Sequence, residues 1–496
     1  MSALILGIDV GTTNAKALIA TPDGAVMAHA TAPIPLLTPR PGYVEQDPEA
    51  WWQAVVQATR AALGALPDPT APIAAIGVSG QGCAATLLDE AGNPLRPGII
   101  WMDARAEAEC AYLRRSAERI FELNGKQPGP YNFDPKLIWL QRHEPDILAQ
   151  AHACLTTTGY VNYRLTSEQV LNVSDASIPL AFDQTRCDWS EELIDSFGIP
   201  RHLYPRVAPC QAVIGALTPP AAQALGLQAG IPVIAGGEDT SAAGLSAGVA
   251  RPGQAMLSLG TGGSVYVAQD RPVAHPQLLT FAHVLEQQWF VGGTIVAFGA
   301  ALAWCKDLLG VADFETLNAL AADSVPGAEK LLFLPYLSGE LQPVNDGHAR
   351  GVFFGLSLNT RRPQLTRAVM EGAAFAIAHN LQLAAEAGAQ TEALRAVGGP
   401  TRSPIWCQMI ADITGLPVLV LKNEAGAPLG DVFLAAAAVG LIADAGAAAE
   451  RAAEVARVVT PDSRHAQFYS DLSAIYRQVY PALKAQFAAL AQVELP

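Results

Sequence analysis

At 496 residues the chain exceeds what one ordinary hydrophobic core holds, so two or more domains are expected. Half of its residues are hydrophobic and only 16% are charged, which excludes a disordered chain; a formal net charge of -15 with no basic stripe argues against a nucleic-acid partner. The seven cysteines are scattered without a C-x-x-C pair, which argues against a zinc site or a disulfide framework and fits a reducing compartment.

An apolar run at 4–8 leads into Asp9-Val10-Gly11-Thr12-Thr13-Asn14-Ala15-Lys16, and a second apolar run follows at 17–20. This reads as strand, tight turn, strand, within a β-meander that turns again at Pro22-Asp23-Gly24. A glycine-threonine turn gathers N–H and hydroxyl groups at one point and admits a bulky anion. Gly11, Thr12 and Thr13 are therefore candidate phosphate contacts, and Asp9 is suited to hydrated Mg²⁺. Lys16 is a further phosphate-contact candidate, but it falls on a strand and reads as solvated.

Asp47-Pro48 opens a helix, with Asp as N-cap and Pro in the first position, and Trp51, Val55, Ala58 and Ala62 give it an apolar face. A buried strand at 73–78 runs into Ser79-Gly80-Gln81-Gly82-Cys83, where Gln81 can donate and accept to sugar hydroxyls. Strands at 84–88 and 98–101 flank a turn at 90–93, and a helix is read over 105–115. Between them Trp101, Asp103 and Arg105 combine an apolar face, a hydroxyl acceptor and a cation, a set suited to a polyol; each is equally suited to a helix cap and a solvated arginine.

A strand at 231–235 ends in Gly236-Gly237-Glu238-Asp239, ahead of a helix at 241–247. A carboxylate at a strand's end suits a general base. Alternation turns one of the two acids away, and Asp239 is favoured. The second half repeats the first: a hairpin at 255–267 carries Gly260, Thr261 and Gly262 in its turn. A strand at 393–397 leads into Gly398-Gly399-Pro400-Thr401-Arg402-Ser403 and a helix at 404–414, then a strand at 417–421 and an apolar helix from Leu429. Glycines before a helix admit a planar base or a phosphate. The clustered glycines at 248–253 mark the boundary between two α/β halves, 1–248 and 249–496, facing a cleft. The longest apolar stretch, 432–443, is too short to span a bilayer. The opening residues show no basic segment with a cleavage site, so a cytoplasmic location is expected.

These residues together resemble the FGGY carbohydrate kinase family over most of the chain. The closest match is Gly351-Val352-Phe353-Phe354-Gly355-Leu356, then seven residues, then Gln364-Leu365 and Ala368-Val369-Met370-Glu371. The N-terminal signature is centred on Lys136-Leu137-Ile138-Trp139-Leu140 and departs once, with Phe133 where the family has a small Pro, Ser or Thr. Tyr43-Val44-Glu45-Gln46-Asp47-Pro48, Ala85-Thr86-Leu87-Leu88-Asp89 and residues 333–340 resemble the xylulose kinase branch. The resemblance implies two actin-like, ribonuclease-H-like α/β domains, an N-terminal sugar-binding one and a C-terminal one that binds ATP, with the active site between them. It implies Asp239 as base, Asp9 and Asp239 on the Mg²⁺ side, and Gly398, Gly399 and Arg402 on the adenine side. The substrate-side positions are Gln81, Gly82, Cys83, Trp101, Asp103 and Thr240.

Three of these positions depart from that branch. Gly82-Cys83 stands for Met-His, Met102-Asp103-Ala104-Arg105 for Asn-Asp-Gly-Arg, and Asp239-Thr240 for Asp-Asn. A wider pocket with one donor fewer is expected. The expected reaction is ATP-dependent phosphorylation of a primary hydroxyl of an open-chain ketopentose such as D-xylulose, with another ketose or a polyol such as erythritol or xylitol as the alternative. Readings from other classes are an actin- or chaperone-like ATPase and a non-catalytic sugar sensor. The apolar C-terminal helices permit a homodimer.

Overall fold

In a computed structural model of the protein, residues 3–68, 71–422 and 425–493 are described. The first sheet has seven strands. A meander of Leu4–Val10 (β1), Asn14–Ala20 (β2) and Val26–Pro33 (β3) is joined by Ile73–Gly80 (β4), parallel to β1. Val213–Ala216 (β5) and Pro232–Ile234 (β6) extend it, and Gly237–Glu238 (β7) adds alongside the end of β4.

The second sheet, also of seven strands, repeats this plan. Ala255–Leu259 (β8) and Gly263–Gln269 (β9) form the hairpin, and Leu279–Ala282 (β10) with Trp289–Ile295 (β11) continues it antiparallel. Leu394–Val397 (β12) and Val418–Leu421 (β13) lie parallel to β8, and Val455–Val459 (β14) closes the edge. In both sheets an antiparallel set, of three strands in the first and four in the second, is followed by parallel strands on the side of its first strand. The duplication is thus of topology, not of the turns alone.

Every residue of β1 is buried, because helices cover both faces of the sheet. Leu4, Leu6, Ile8 and Val10 join the core beneath Pro48–Gly64 (α1), a helix capped by Asp47 as expected. Ile5 faces the other way, onto Ala427–Ala438 (α5), with Val432 and Phe433. Helix α5 comes from the second half of the chain yet packs on the first sheet. Glycines allow that approach: a Cβ on Gly7 would stand 2.0 Å from the Pro428 carbonyl oxygen, and one on Gly77 2.8 Å from that of Asp431. On the second sheet Leu257 and Leu259 join the core with Ile377 of Arg362–Glu386 (α3) and Ile410 of Pro404–Thr414 (α4).

Some local expectations are corrected. The two segments beside the 90–93 turn meet each other at Ala85 and Ile99 as well as taking further partners, 86–88 pairing with 153–155 and 98–99 with 45–46. The helix after Arg105 is shorter, Glu107–Leu113. Strand β14 lies where only Ala-rich helices were read; it is five residues long and sits between Ala445–Ala452 and Ala466–Leu490. Phe133 is fully buried with its ring centroid 6.1 Å from that of Tyr204, which accounts for a large side chain at that signature position. Among the described residues no helix is long and apolar enough to cross a membrane.

Candidate active site

Strand β7 ends at Glu238, and Asp239–Ser246 (α2) begins on the next residue. Glu238 is the N-cap of that helix: its side chain accepts a hydrogen bond from the Ser241 N–H at 2.9 Å. Capping is therefore the work of Glu238, which leaves Asp239, in the first turn, half-buried at the mouth of a cavity of about 360 Å³. Its lining includes Asp9, Lys16 and Thr240 from the first half of the chain, with Ser258, Ser264 and Gly398 from the second. The Thr240 hydroxyl donates to Asp239 Oδ1 at 3.1 Å.

Asp9 and Lys16 face each other across the β1–β2 hairpin, and Lys16 Nζ donates to Asp9 Oδ2 at 3.0 Å. Lys16 is half exposed, but it is paired with Asp9 and lines the cavity, so it is not simply solvated. The only signal in the sequence was that hairpin register places 9 opposite 16. Burial raises the Asp9 carboxyl to about 6, with Lys16 opposing and the Asp239 charge reinforcing the shift. Its other oxygen, Oδ1, is buried with no hydrogen-bond partner. A divalent cation fits that unpaired oxygen. No cluster of three or more His, Cys, Asp or Glu that could hold a metal occurs among the described residues, so the other ligands of such an ion would be phosphate oxygens and water.

The two glycine-threonine turns end hairpins in matching places, one in each sheet. Gly11 N–H bonds the Asn14 carbonyl, and Gly260 N–H that of Gly262. Thr13, Gly260 and Thr261 are exposed. The Thr12 hydroxyl is already engaged: it accepts from Trp101 Nε1 at 3.0 Å and donates to Gln81 Oε1 at 3.1 Å. Gln81 Nε2 donates in turn to Gln46 Oε1 at 2.6 Å, and Gln46 Nε2 to the Thr12 carbonyl at 2.7 Å. This circuit ties the first turn to the sugar-side candidates Gln81 and Trp101, and Gln46 was not foreseen in it. Gly398 has φ 103°, and a Cβ there would stand 1.8 Å from the Leu259 carbonyl oxygen. Only glycine brings β12 that close to the end of β8. Gly399 and Arg402 are exposed beside it.

Asp103 is 1% exposed. Its oxygens accept from the Val44 N–H and from the Arg105 backbone, Nε and Nη2. Arg105 also pairs with Glu45 and lies over the Tyr43 ring, 4.0 Å from its centroid. The structure thus places Asp103 in a buried ion-pair network, and of the substrate-side candidates only Thr240 lines the cavity; Gln81, Gly82, Cys83, Trp101 and Asp103 do not. At Gly82 the expected extra width is absent, since Ile178 and Glu238 fill the space that a side chain there would take. Cys83 is buried, with φ 60°, and its carbonyl accepts from the buried Lys136 Nζ. Burial pushes its thiol up to about 12.

A second hollow, of about 860 Å³, is lined by Pro209, Arg251, Glu286, Asp444 and Glu450 among others. Neither Asp9 nor Asp239 lines it, and the 360 Å³ cavity, which both of them line, is the candidate site.

Models of the FGGY family of carbohydrate kinases match residues 4–246 with the family's N-terminal domain and residues 255–439 with its C-terminal domain. The chain is 36% identical over 417 residues to the xylulose kinase of Escherichia coli (strain K12), covering 83% of this chain and 85% of that one. It is 34% identical over 484 residues to the xylulose kinase of Klebsiella pneumoniae, covering 97% and 99%. Among solved structures, xylulose kinase from Rhodospirillum rubrum superposes with a TM-score of 0.92 at 31% identity, covering 98% of this chain and all of that one. The expected architecture, two actin-like α/β domains around a cleft, is the one these similarities share.

Proposed function

Because the chain belongs to the FGGY family of carbohydrate kinases, we propose that it transfers the γ-phosphoryl group of ATP to a primary hydroxyl of an open-chain ketopentose, D-xylulose. The observation that carries this reading is the position of Asp239. It opens a helix at the mouth of a cavity that also takes in Asp9, Lys16 and Gly398.

In this reading Asp239 accepts the proton of the sugar hydroxyl as its oxygen attacks the γ-phosphorus in line. Backbone N–H groups of Gly11, Thr12 and Thr13, and of Gly260, Thr261 and Gly262, receive the phosphates from the two sheets. Lys16 adds a positive charge where negative charge develops. Asp9, with Asp239 beside it, would hold Mg²⁺, whose chemistry is to neutralise phosphate charge and fix its geometry. Gly398, Gly399 and Arg402 border the adenine. Gln81, Gly82, Cys83, Trp101 and Thr240 border the sugar, and Asp103 holds the Trp101 segment from behind. Closure of the cleft on the sugar keeps water from the γ-phosphate. The reaction takes place in the cytoplasm, which supplies ATP and suits seven free cysteines.

The test is ADP release by the purified protein with Mg-ATP across D-xylulose, other ketopentoses and ketohexoses, and four- to six-carbon polyols. D-xylulose is expected to lead. Leadership by another ketose or a polyol replaces the substrate and keeps the kinase. Equal low release with every compound contradicts the kinase reading.

A further inference from the structure

The two hairpins share one rung of their ladders as well as their turns. In the first, Asp9 and Lys16 pair across β1 and β2, one step back from the last pair, Val10 and Ala15. In the second, Ser258 and Ser264 pair across β8 and β9, one step back from the last pair, Leu259 and Gly263. Alternation along the strands fixes where the two serines face. Leu257, Leu259, Val265 and Val267 turn into the core of the second sheet, whereas Met256 and Tyr266 belong to a separate cluster on its other face. Ser258 shares the face of Met256 and Ser264 that of Tyr266. Both serines are half-buried, and both line the cavity of about 360 Å³ together with Asp9 and Lys16. The two rungs differ in chemistry. Asp9 and Lys16 bond each other, whereas neither serine hydroxyl is bonded to any described residue. Ser258 also stands beside Val397 of β12, the residue before Gly398, and Gly398 lines the same cavity.

We propose that Ser258 and Ser264 are nucleotide-binding residues, whose hydroxyls donate to the phosphate that stays on the nucleotide, the β-phosphate of ADP. This deepens the kinase reading above and rests on it. A hydroxyl has one proton to give and carries no charge, so it bonds a phosphate oxygen without repelling it. A carboxylate on the same rung, as on the first hairpin, would repel the phosphate unless a cation stood between them. The second hairpin therefore presents donors where the first presents an acid and a base. The place of Ser258 beside β12 puts the hydroxyl pair on the Gly398 side of the cavity, the side that the kinase reading gives to the nucleotide. The γ-phosphoryl group travels from there to the hydroxyl that Asp239 activates, and the β-phosphate is left on the serines. Contacts of this kind hold ATP and ADP alike and keep the leaving group in line during transfer.

The test compares full-length wild type with Ser258→Ala, Ser264→Ala and the matching variants Ser258→Thr and Ser264→Thr, which keep the hydroxyl on a β-branched residue suited to a strand. Calorimetry measures Kd for Mg-ADP and for D-xylulose, and steady-state kinetics measures kcat and the KM of each substrate. Loss of one hydrogen bond to a charged group predicts an ADP Kd about 10- to 100-fold higher in each Ala variant. The ATP KM rises with it and kcat changes less, since the contact is made before and after transfer. The D-xylulose Kd and the Tm stay unchanged, and the Thr variants recover most of the ADP affinity. An ADP Kd within about twofold of wild type in both Ala variants overturns the proposal. So does a loss shared equally by ADP and D-xylulose, or one that Thr does not recover, since either marks a change in the fold. Wild type that binds no ADP overturns it together with the kinase reading. Wild type that binds ADP and phosphorylates no sugar contradicts that reading alone, and the ADP comparison still decides this inference.

Discussion

Lys16 Nζ lies 3.0 Å from Asp9 Oδ2, across adjacent strands of the first hairpin. The lysine neutralises one oxygen of a buried carboxylate and leaves the other, Oδ1, unpaired. Replacing Lys16 with Met keeps the bulk on a half-exposed position and removes the charge. The expected outcome is kcat/KM for Mg-ATP lowered by about 10- to 100-fold, since one charged contact to the phosphates is lost, with a lower Tm because buried Asp9 loses its partner. Steady-state kinetics with ATP varied at saturating sugar checks it.

Asp103 and Arg105 form a buried pair with side chains 0% and 1% exposed. Without Asp103 the Arg105 guanidinium keeps Glu45, but it loses two hydrogen bonds and the Val44 N–H loses its acceptor. Asp103→Ala is therefore expected to cost about 1–3 kcal/mol of stability. The measurement is denaturant unfolding, read alongside the sugar KM of whatever folded protein remains. A well-folded variant with only a raised sugar KM would put Asp103 in contact with substrate instead.

The Gly398→Ala substitution places a methyl against the Leu259 carbonyl at a φ of 103°. Both the strain and the contact disfavour it, by about 1–3 kcal/mol or more. Since Gly398 lines the cavity, the same change is expected to weaken ATP binding more than sugar binding, as nucleotide calorimetry would show.

Buried Glu340 bonds Val296, whose carbonyl lies against Gly262 of the second glycine-threonine turn. Its Oε1 accepts from the Val296 N–H at 2.8 Å and from its neighbour Leu341, its Oε2 is buried without a partner, and burial raises it from 4.5 to about 8. Between those two values the folded protein keeps a proton that the unfolded chain has released. Stability attributable to this group therefore falls as pH rises from 4.5 to 8 and changes no further above that, with a limiting slope of about 1.4 kcal/mol per pH unit. Glu340→Gln is expected to flatten the slope, read as Tm against pH for the two proteins.

Much of this site was legible because it is built from turns. Glycine and threonine between two apolar runs mark a hairpin end wherever they occur, and both turns and the Asp239 strand end sit where the pattern put them. Pairings between distant segments were not legible. Nothing local tells that Thr12 spends its hydroxyl on Gln81 and Trp101, that Ile178 arrives over Gly82, or that α5 crosses to the first sheet to meet Gly7. Those contacts depend on tertiary packing. Alternation did separate Glu238 from Asp239, but it gave the buried acid no role, and capping the helix is what places the other in the cavity.

The most direct test of the account is phosphorus NMR of the products formed from D-xylulose and Mg-ATP by wild type and by Asp239→Asn. The account predicts a new sugar phosphomonoester with wild type. It predicts a rate about 10²- to 10⁴-fold lower with the variant, whose ATP affinity and Tm are retained. A phosphomonoester formed at near wild-type rate by Asp239→Asn would contradict the role of Asp239. Inorganic phosphate as the only new product of the wild type would contradict sugar phosphorylation.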